Sequence, residues 1–339
     1  MLYPKQRLLV SPELSKVRKL KTIRAGAMTV TTTQSIDWAS RLVNGVLAVK
    51  PLANWAKHQA RQMMINRAEK MGVPWRQQAA TLLSRNWDRE WAEVFDPNLT
   101  YPDYYCCSFH AYETGNLSWQ AAVEVEVAAY AVHSKIWPEA GVEGDTCLRR
   151  SYHEVLQAQL PHAPESIVDL GCGVGMSTLA LQDIYPHAQI TGMDLSPYFL
   201  AIALHNSQNY HHHHPDNSTP VWQHRPAEST GLPDASIDLV SLCLVCHELP
   251  QTATREIIQE ARRILRPGGH LAIMDMNPQS EFLKRIPPYV LTLLKSTEPY
   301  LDQYFSLDIA QTIQDSGFQT PRITNNSPRH RTIITRREN

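Results

Sequence analysis

The sequence predicts an α/β fold, a mostly parallel sheet with helices on both faces, preceded by an N-terminal helical subdomain. Three observations predict it. From about residue 164, β-rich runs alternate with helical ones: SIVDL, MSTLALQDIY, AQITGMDL, PYFLAIALHNS, PVWQH, SIDLVSLCLV, a helix ending at ILRPGG, and HLAIMDM, the pattern of β–α–β units. A glycine-rich turn within IVDLGCGVG joins the first of these strands to its helix. Residues 34–95 instead carry helical punctuation without strand signals.

Taken in order, Ser35 caps a helix through Val49, Pro51 opens one that runs to Gly72, and Pro74 opens a third. Seven of the eight tryptophans precede residue 140, and Trp87 and Trp91 lie one turn apart, so this region predicts an aromatic core. The segment FHAYETGNLSWQAAVEVE, 109–126, leads from a turn around Gly115, with His110, Tyr112 and Asn116, into a helix that starts after Ser118 and is apolar on nearly every side. Glu124 and Glu126 fall about 200° apart around that helix. One of them therefore points inward and needs a partner. After the sheet pattern come an insertion at 277–305, a last helix at 306–316 capped by Ser306, and two strands, PRITN and RTIITR. The expected division is a basic flexible tail at 1–33, a helical subdomain and site lid at 34–160, and a ligand-binding α/β domain at 161–339.

A formal net charge of −1 argues against a dedicated nucleic-acid binder. Residues 1–100 hold 16 Lys/Arg against 7 Asp/Glu, and the remainder 16 against 26. A solvated basic face is one reading. The other is peripheral membrane contact through the basic helix at 51–71, with Lys57, Arg61, Arg67 and Lys70. The first 27 residues are basic without a long apolar core, which excludes a secretory signal. The expected location is cytoplasmic, or a plastid if this stretch is a transit peptide. Six cysteines without a secretory signal predict free thiols. Cys243 and Cys246 form a C-x-x-C inside an apolar strand, with no second ligand pair at zinc spacing, so no metal is expected. The run His211–His214 reads as an exposed loop.

The chemistry lies in IVDLGCGVG. A buried strand ends in Asp169, and Gly171, Gly173 and Gly175 follow at two-residue spacing before a helix. Glycine lets the backbone turn sharply and approach a ligand closely. Asp194, nineteen residues after Gly175 at the end of the second strand, can accept hydrogen bonds from a ribose diol. These residues predict an adenosine pocket at the carboxyl ends of parallel strands.

The fingerprint is D-x-G-x-G-x-G, and at this point the chain resembles the class I S-adenosylmethionine-dependent methyltransferases, in the small-molecule group that includes the ubiquinone/menaquinone methyltransferases. VDLGCGVG, GMDLSPYFL, LPDASIDLVSLCLVCHEL and EARRILRPGGHLAIMD carry the resemblance, in order, over residues 165–278. It implies a Rossmann-like methyltransferase sheet with an antiparallel last strand, S-adenosyl-L-methionine as cofactor, and methyl transfer to a small-molecule or lipid-like acceptor by in-line displacement. It implies that Asp169, Gly171, Gly173 and the Cys172 backbone hold the methionine end, that Asp194 holds the ribose, and that Leu195 packs on the adenine. Ala227 and Glu228 keep their family places, whereas the usual adenine-binding acid is Pro226. Cys243 and Leu244 would sit beside the sulfonium. His247 and Glu248, at the rim after the fourth strand, are the candidate bases. A base is needed only if the acceptor atom carries a proton to be lost. Tyr300, Asp302 and Tyr304 of the insertion are candidate acceptor contacts, as is His110, and Tyr112 is expected to close the pocket or to brace the helix joint. Two other readings are a methyltransferase-like non-catalytic binding or scaffold protein and an aminopropyl-type transferase. The sequence does not fix the oligomeric state.

Overall fold

The computed structural model describes residues 50–110 and 112–338. The basic tail and the helix expected at Ser35–Val49, with Trp38, lie outside the described residues. Three helices open the described chain: α1 (Lys50–Lys70), α2 (Trp75–Leu83) and α3 (Asp88–Val94). A 3-10 turn (Asp103–Tyr105) precedes α4 (Trp119–His133) and α5 (Gly144–Gln159). Strands and helices then alternate as β1 (Ser166–Leu170), α6 (Met176–Ile184), β2 (Gln189–Asp194), α7 (Pro197–His213), β3 (Val221–His224), β4 (Ile237–Cys243), α8 (Gln251–Ile264) and β5 (Leu265–Met276). Three short helices, α9 (Glu281–Lys284), α10 (Pro288–Thr297) and α11 (Leu301–Ser306), fill the insertion, followed by α12 (Ile309–Asp315), β6 (Arg322–Asn325) and β7 (His330–Arg336).

The seven strands form one sheet in the order β3-β2-β1-β4-β5-β7-β6. The first five are parallel, β7 runs antiparallel to β5, and β6 antiparallel to β7. β1 sits centrally with β2 and β4 on either side, so the switch in strand order falls at its carboxyl end, where open α/β sheets bind ligands.

One apolar cluster joins the amphipathic α8 to the sheet, with Ile257, Ile258 and Ala261 facing Val240 and Ile273. On the other face, Ile65, Trp75, Trp87, Val123 and Val127 share a core with Phe199, Leu200 and Trp222. The N-terminal helices are therefore packed directly onto α7, β3 and the glycine turn. Trp119 organises this contact, stacking on Trp87 with centroids 5.4 Å apart and meeting Trp91 at 5.8 Å and Tyr198 at 5.2 Å.

Three local expectations change. The last helix starts at Ile309 and is capped by Asp308, whose side chain accepts from the Gln311 amide. Ser306 ends α11 instead, its hydroxyl donating to the carbonyls of Asp302 and Gln303. His211, His212 and His213 are exposed on the last turn of α7, where the His213 ring bonds the Asn209 carbonyl; a basic residue satisfies the orphan carbonyls of a helix end, so the helix runs into the run of histidines. Arg61, counted among the outward basic residues of α1, is turned inward onto Glu124.

Candidate functional site

The glycine turn is built from the backbone. Gly171, Gly173 and Gly175 have φ of 70°, 56° and 86°, a region side-chain-bearing residues rarely adopt. The amides of Gly171 and Cys172 both donate to the Met193 carbonyl, at 2.8 and 3.0 Å, which ties the turn to the end of β2. A Cβ at Gly171 would lie 2.7 Å from Val245, and one at Gly175 2.7 Å from Trp222; at Gly173 the nearest atom is 3.9 Å away. The middle glycine thus faces space while the outer two are clamped.

Asp169 and Asp194 stand on either side. Asp169 is fully buried; its Oδ2 accepts from the hydroxyls of Ser177 (2.6 Å) and Thr178 (2.7 Å) in the first turn of α6, while its buried Oδ1 has no partner among the described residues. Burial outweighs those hydroxyls and raises its pKa. Asp194, 8% exposed, accepts from the amides of Gly173 (2.9 Å) and Ser196 (2.7 Å). Burial again dominates and raises its pKa. The third donor is the Tyr105 hydroxyl, 3.1 Å from Oδ1. Its neighbour Tyr104 donates to Glu228 Oε1 at 2.8 Å, and Glu228 Oε2 has no partner among the described residues. The 3-10 turn thereby places one phenol on each carboxylate expected to meet the nucleoside. The cavity lined by Tyr104, Tyr105, Phe109, Asn116, Glu248 and Leu249 is about 30 Å3, room for about two waters.

Leu195 is 6% exposed, and its carbonyl takes the Nε2–H of His224 at 3.0 Å. The tautomer follows because His224 Nδ1 accepts the Asp96 amide at 3.1 Å. Cys243 is buried at the end of β4, and burial pushes its thiol up to about 12. Leu244 follows with φ of 62°, held by its amide on the Met274 carbonyl at 2.8 Å.

Beyond Leu244 a set of titratable groups converges. His247 Nδ1 donates to Asp275 Oδ1 at 2.8 Å, and Asp275 is wholly buried. Burial opposes the imidazolium, but the Asp275 carboxylate outweighs it and holds the His247 pKa up at about 10. Glu248 Oε1 lies 4.0 Å from His247 Nε2 and 3.6 Å from His110 Nε2. Burial raises Glu248 to about 7, with the two imidazoles pulling the other way. His110 Nε2 also meets Glu298 at 2.9 Å, and although burial opposes its charge, Glu298 raises its pKa. His110 has φ of 48°, and its amide donates to the Thr297 carbonyl at 3.0 Å, which pins His110 to the end of α10.

The other sequence-selected residues divide. Tyr112 turns away from this cluster, donating to Glu124 Oε2 at 2.6 Å beneath the Arg61 guanidinium, so Glu124 is the inward glutamate and Tyr112 its partner. Glu126 accepts from Tyr130 across its own helix face at 2.7 Å. Tyr304 is 1% exposed and donates to the Met276 carbonyl at 2.6 Å. Asp302 pairs with Lys295 on the surface. Tyr300 is half-buried and precedes α11. Ala227 packs against the core beneath α8. The sequence reading missed Tyr104, Tyr105, Asp275 and Glu298. Only Asp275 left a usable signal, a carboxylate in HLAIMDM at the carboxyl end of a parallel strand.

The residues present fit a nucleoside cofactor. Asp194 stands at the strand tip beside a glycine turn whose middle Cβ would meet open space, and two buried carboxylate oxygens, on Asp169 and Glu228, lack protein partners among the described residues.

Residues 168–273 match a family described as a methyltransferase domain. The chain is 35% identical over 119 residues to malonyl-[acyl-carrier protein] O-methyltransferase of Hahella chejuensis, covering 35% of this chain and 39% of that protein. It is 26% identical over 172 residues to an uncharacterized methyltransferase of Synechocystis, covering 50% and 75%. It is 34% identical over 147 residues to trans-aconitate 2-methyltransferase of Methylobacterium nodulans, covering 41% and 52%. The alignments thus span from two-fifths to three-quarters of these relatives.

Proposed function

We propose that this chain, whose residues 168–273 are a class I S-adenosylmethionine-dependent methyltransferase domain, methylates a small-molecule acceptor bound beside Glu248. The observation that carries this is the adjacency of two arrangements on one sheet edge. One is the glycine turn with Asp194; the other is the His247–Asp275 pair with Glu248. S-adenosylmethionine, when bound, supplies an electrophilic methyl on a sulfonium. The amide-lined turn and Asp194 would hold the nucleoside end, and Glu228, with one oxygen unpartnered among the described residues, would read the base in place of the acid that Pro226 replaces.

In this reading Asp275 keeps His247 protonated, which makes the imidazolium a hydrogen-bond donor and charge partner rather than a base. Glu248, balanced near neutrality between two imidazoles, takes the acceptor's proton. The acceptor class this fits carries a dissociable proton at the reacting atom, as a hydroxyl, a carboxylic acid or an acidic carbon does. His110 and Glu298 would orient it. Tyr304 contributes only to the wall, and Tyr112 braces Glu124. A lipid-like acceptor with peripheral membrane contact rests on the basic composition of α1 alone. Sedimentation with anionic vesicles tests it, and no binding at low salt would remove it.

One observation favours a second reading, a non-catalytic protein of this fold: Tyr104 and Tyr105 already occupy one oxygen each of Glu228 and Asp194. Incubation with labelled S-adenosylmethionine and fractionated small-molecule extract separates the two. Labelled product carries the enzyme reading. Tight cofactor binding without any product, across hydroxyl and carboxyl acceptors, leaves the non-catalytic one.

A further inference from the structure

We propose that Arg149 binds the α-carboxylate at the amino-acid end of the cofactor, as a binding residue outside the family-matched stretch. The inference rests on the cofactor reading above and deepens it.

The local sequence explains how a guanidinium reaches this place. α5 starts at Gly144, where an added Cβ would collide with the His133 carbonyl and lie 2.9 Å from Ser134 Cα. Only glycine lets α5 begin directly against the end of α4. That start puts Asp145 in the first turn and Arg149 four residues on, on the same face. Asp145 is 3% exposed; its Oδ2 accepts from Arg149 Nε at 2.8 Å, and its Oδ1 takes His133 Nδ1 at 2.7 Å and Arg149 Nη2 at 3.4 Å. Burial disfavours the Arg149 charge, but Asp145 outweighs it and holds the guanidinium charged.

The opposite edge of the guanidinium makes no carboxylate hydrogen bond among the described residues, although the buried Asp169 also favours its charge. Nη1 lies 3.7 Å from Cys243 Sγ, and Nη2 3.8 Å from Met176 Sδ. Cys243 ends β4, and Met176 is the first helical residue after the glycine turn. A guanidinium carries five N–H groups, and sulfur is a weak acceptor. Asp145 engages two of the five, so the rest are left to the two sulfurs, between the first residue of α6 and the end of β4. The side chain there is 13% exposed. A planar, permanently charged fork with free N–H groups selects a planar anion, and a carboxylate matches it in shape and charge. A ligand whose nucleoside lies on Asp194 and whose chain runs along the glycine turn towards β4 presents its amino-acid carboxylate on this side.

The test compares two ligands on three proteins. S-adenosylhomocysteine and 5′-methylthioadenosine share the nucleoside and thioether, but only the first has the amino acid. Calorimetric Kd values are measured for the wild type, Arg149→Met and Arg149→Lys. The expected result is that Arg149→Met weakens S-adenosylhomocysteine about 10- to 100-fold, leaves 5′-methylthioadenosine within about threefold, and so collapses the preference between them. Arg149→Lys, which keeps a cation over Asp145 without the fork, loses an intermediate factor and serves where Arg149→Met does not fold. Equal weakening of both ligands would overturn the proposal and make Arg149 a strut for Asp145. An unchanged preference would also overturn it and leave Arg149 to an acidic acceptor. Binding of neither ligand by the wild type would defeat the cofactor reading itself, a distinct failure.

Discussion

Tyr105→Phe is expected to tighten cofactor binding. Asp194 Oδ1 already accepts from the Ser196 amide and from Tyr105, and Oδ2 from the Gly173 amide. Each carboxylate oxygen offers two lone pairs, so a ribose diol can engage both oxygens only after the phenol leaves. A hydrogen bond to a charged acceptor contributes about 1.5–3 kcal/mol net. The Tyr105 contact is 3.1 Å, long for an O–H donor, whose usual distance is nearer about 2.7–2.8 Å. The low end of the range therefore applies, and about 1.4 kcal/mol is tenfold in affinity. Phenylalanine keeps the ring packing, so the gain stops there. In calorimetry, S-adenosylhomocysteine should bind Tyr105→Phe about tenfold more tightly than wild type. Tyr104→Phe should gain nothing comparable, because its phenol sits on Glu228 Oε1 and leaves Oε2 without a partner among the described residues. Unchanged or weaker binding in Tyr105→Phe would refute the argument and show that the phenol stays on Asp194 beside the bound nucleoside.

Three more outcomes follow from the same geometry. kcat/KM should rise through pH about 7 as Glu248 loses its proton and fall towards pH about 10 as His247 loses its own; Glu248→Gln should remove the lower limb and cut kcat by roughly 100-fold or more, whereas a retained limb would exclude Glu248 as base. Glu124→Ala leaves Arg61 and Tyr112 without their buried partner and should cost about 2–4 kcal/mol, read as a drop in Tm on the order of 5–10 °C with the cofactor Kd unchanged once folded; a drop of under a degree would remove this joint from the stability account. Gly175→Ala must hold φ near 86° with its Cβ 2.7 Å from Trp222 and should cost at least about 2 kcal/mol; Trp222→Phe in that background should recover part of the loss, and strict additivity of the two would show that the ring is not the obstacle.

The sheet was legible because parallel strands leave long apolar runs and a glycine turn has few alternative uses. The positions of Asp169 and Asp194, at or one residue before the ends of β1 and β2, follow from that pattern alone. The parts that escaped are contacts between distant segments. Nothing local in PDYYCC says that Tyr104 and Tyr105 will reach Glu228 and Asp194, more than 80 residues away. His110 and Tyr112, two residues apart, were read together, yet they serve different neighbours: one faces Glu298 and Glu248, the other Glu124. The positive φ of His110 separates them, and backbone handedness at a non-glycine residue is invisible in composition. Arg149 was passed over because a lone arginine in an amphipathic helix reads as surface; Gly144 and Asp145 are what turn it inward.

The most direct test titrates wild type and Asp194→Asn with S-adenosylhomocysteine by calorimetry. The account predicts saturable one-to-one binding by the wild type, weakened about tenfold or more when the amide replaces the carboxylate. No heat at millimolar ligand, or equal affinity in the two proteins, would contradict it.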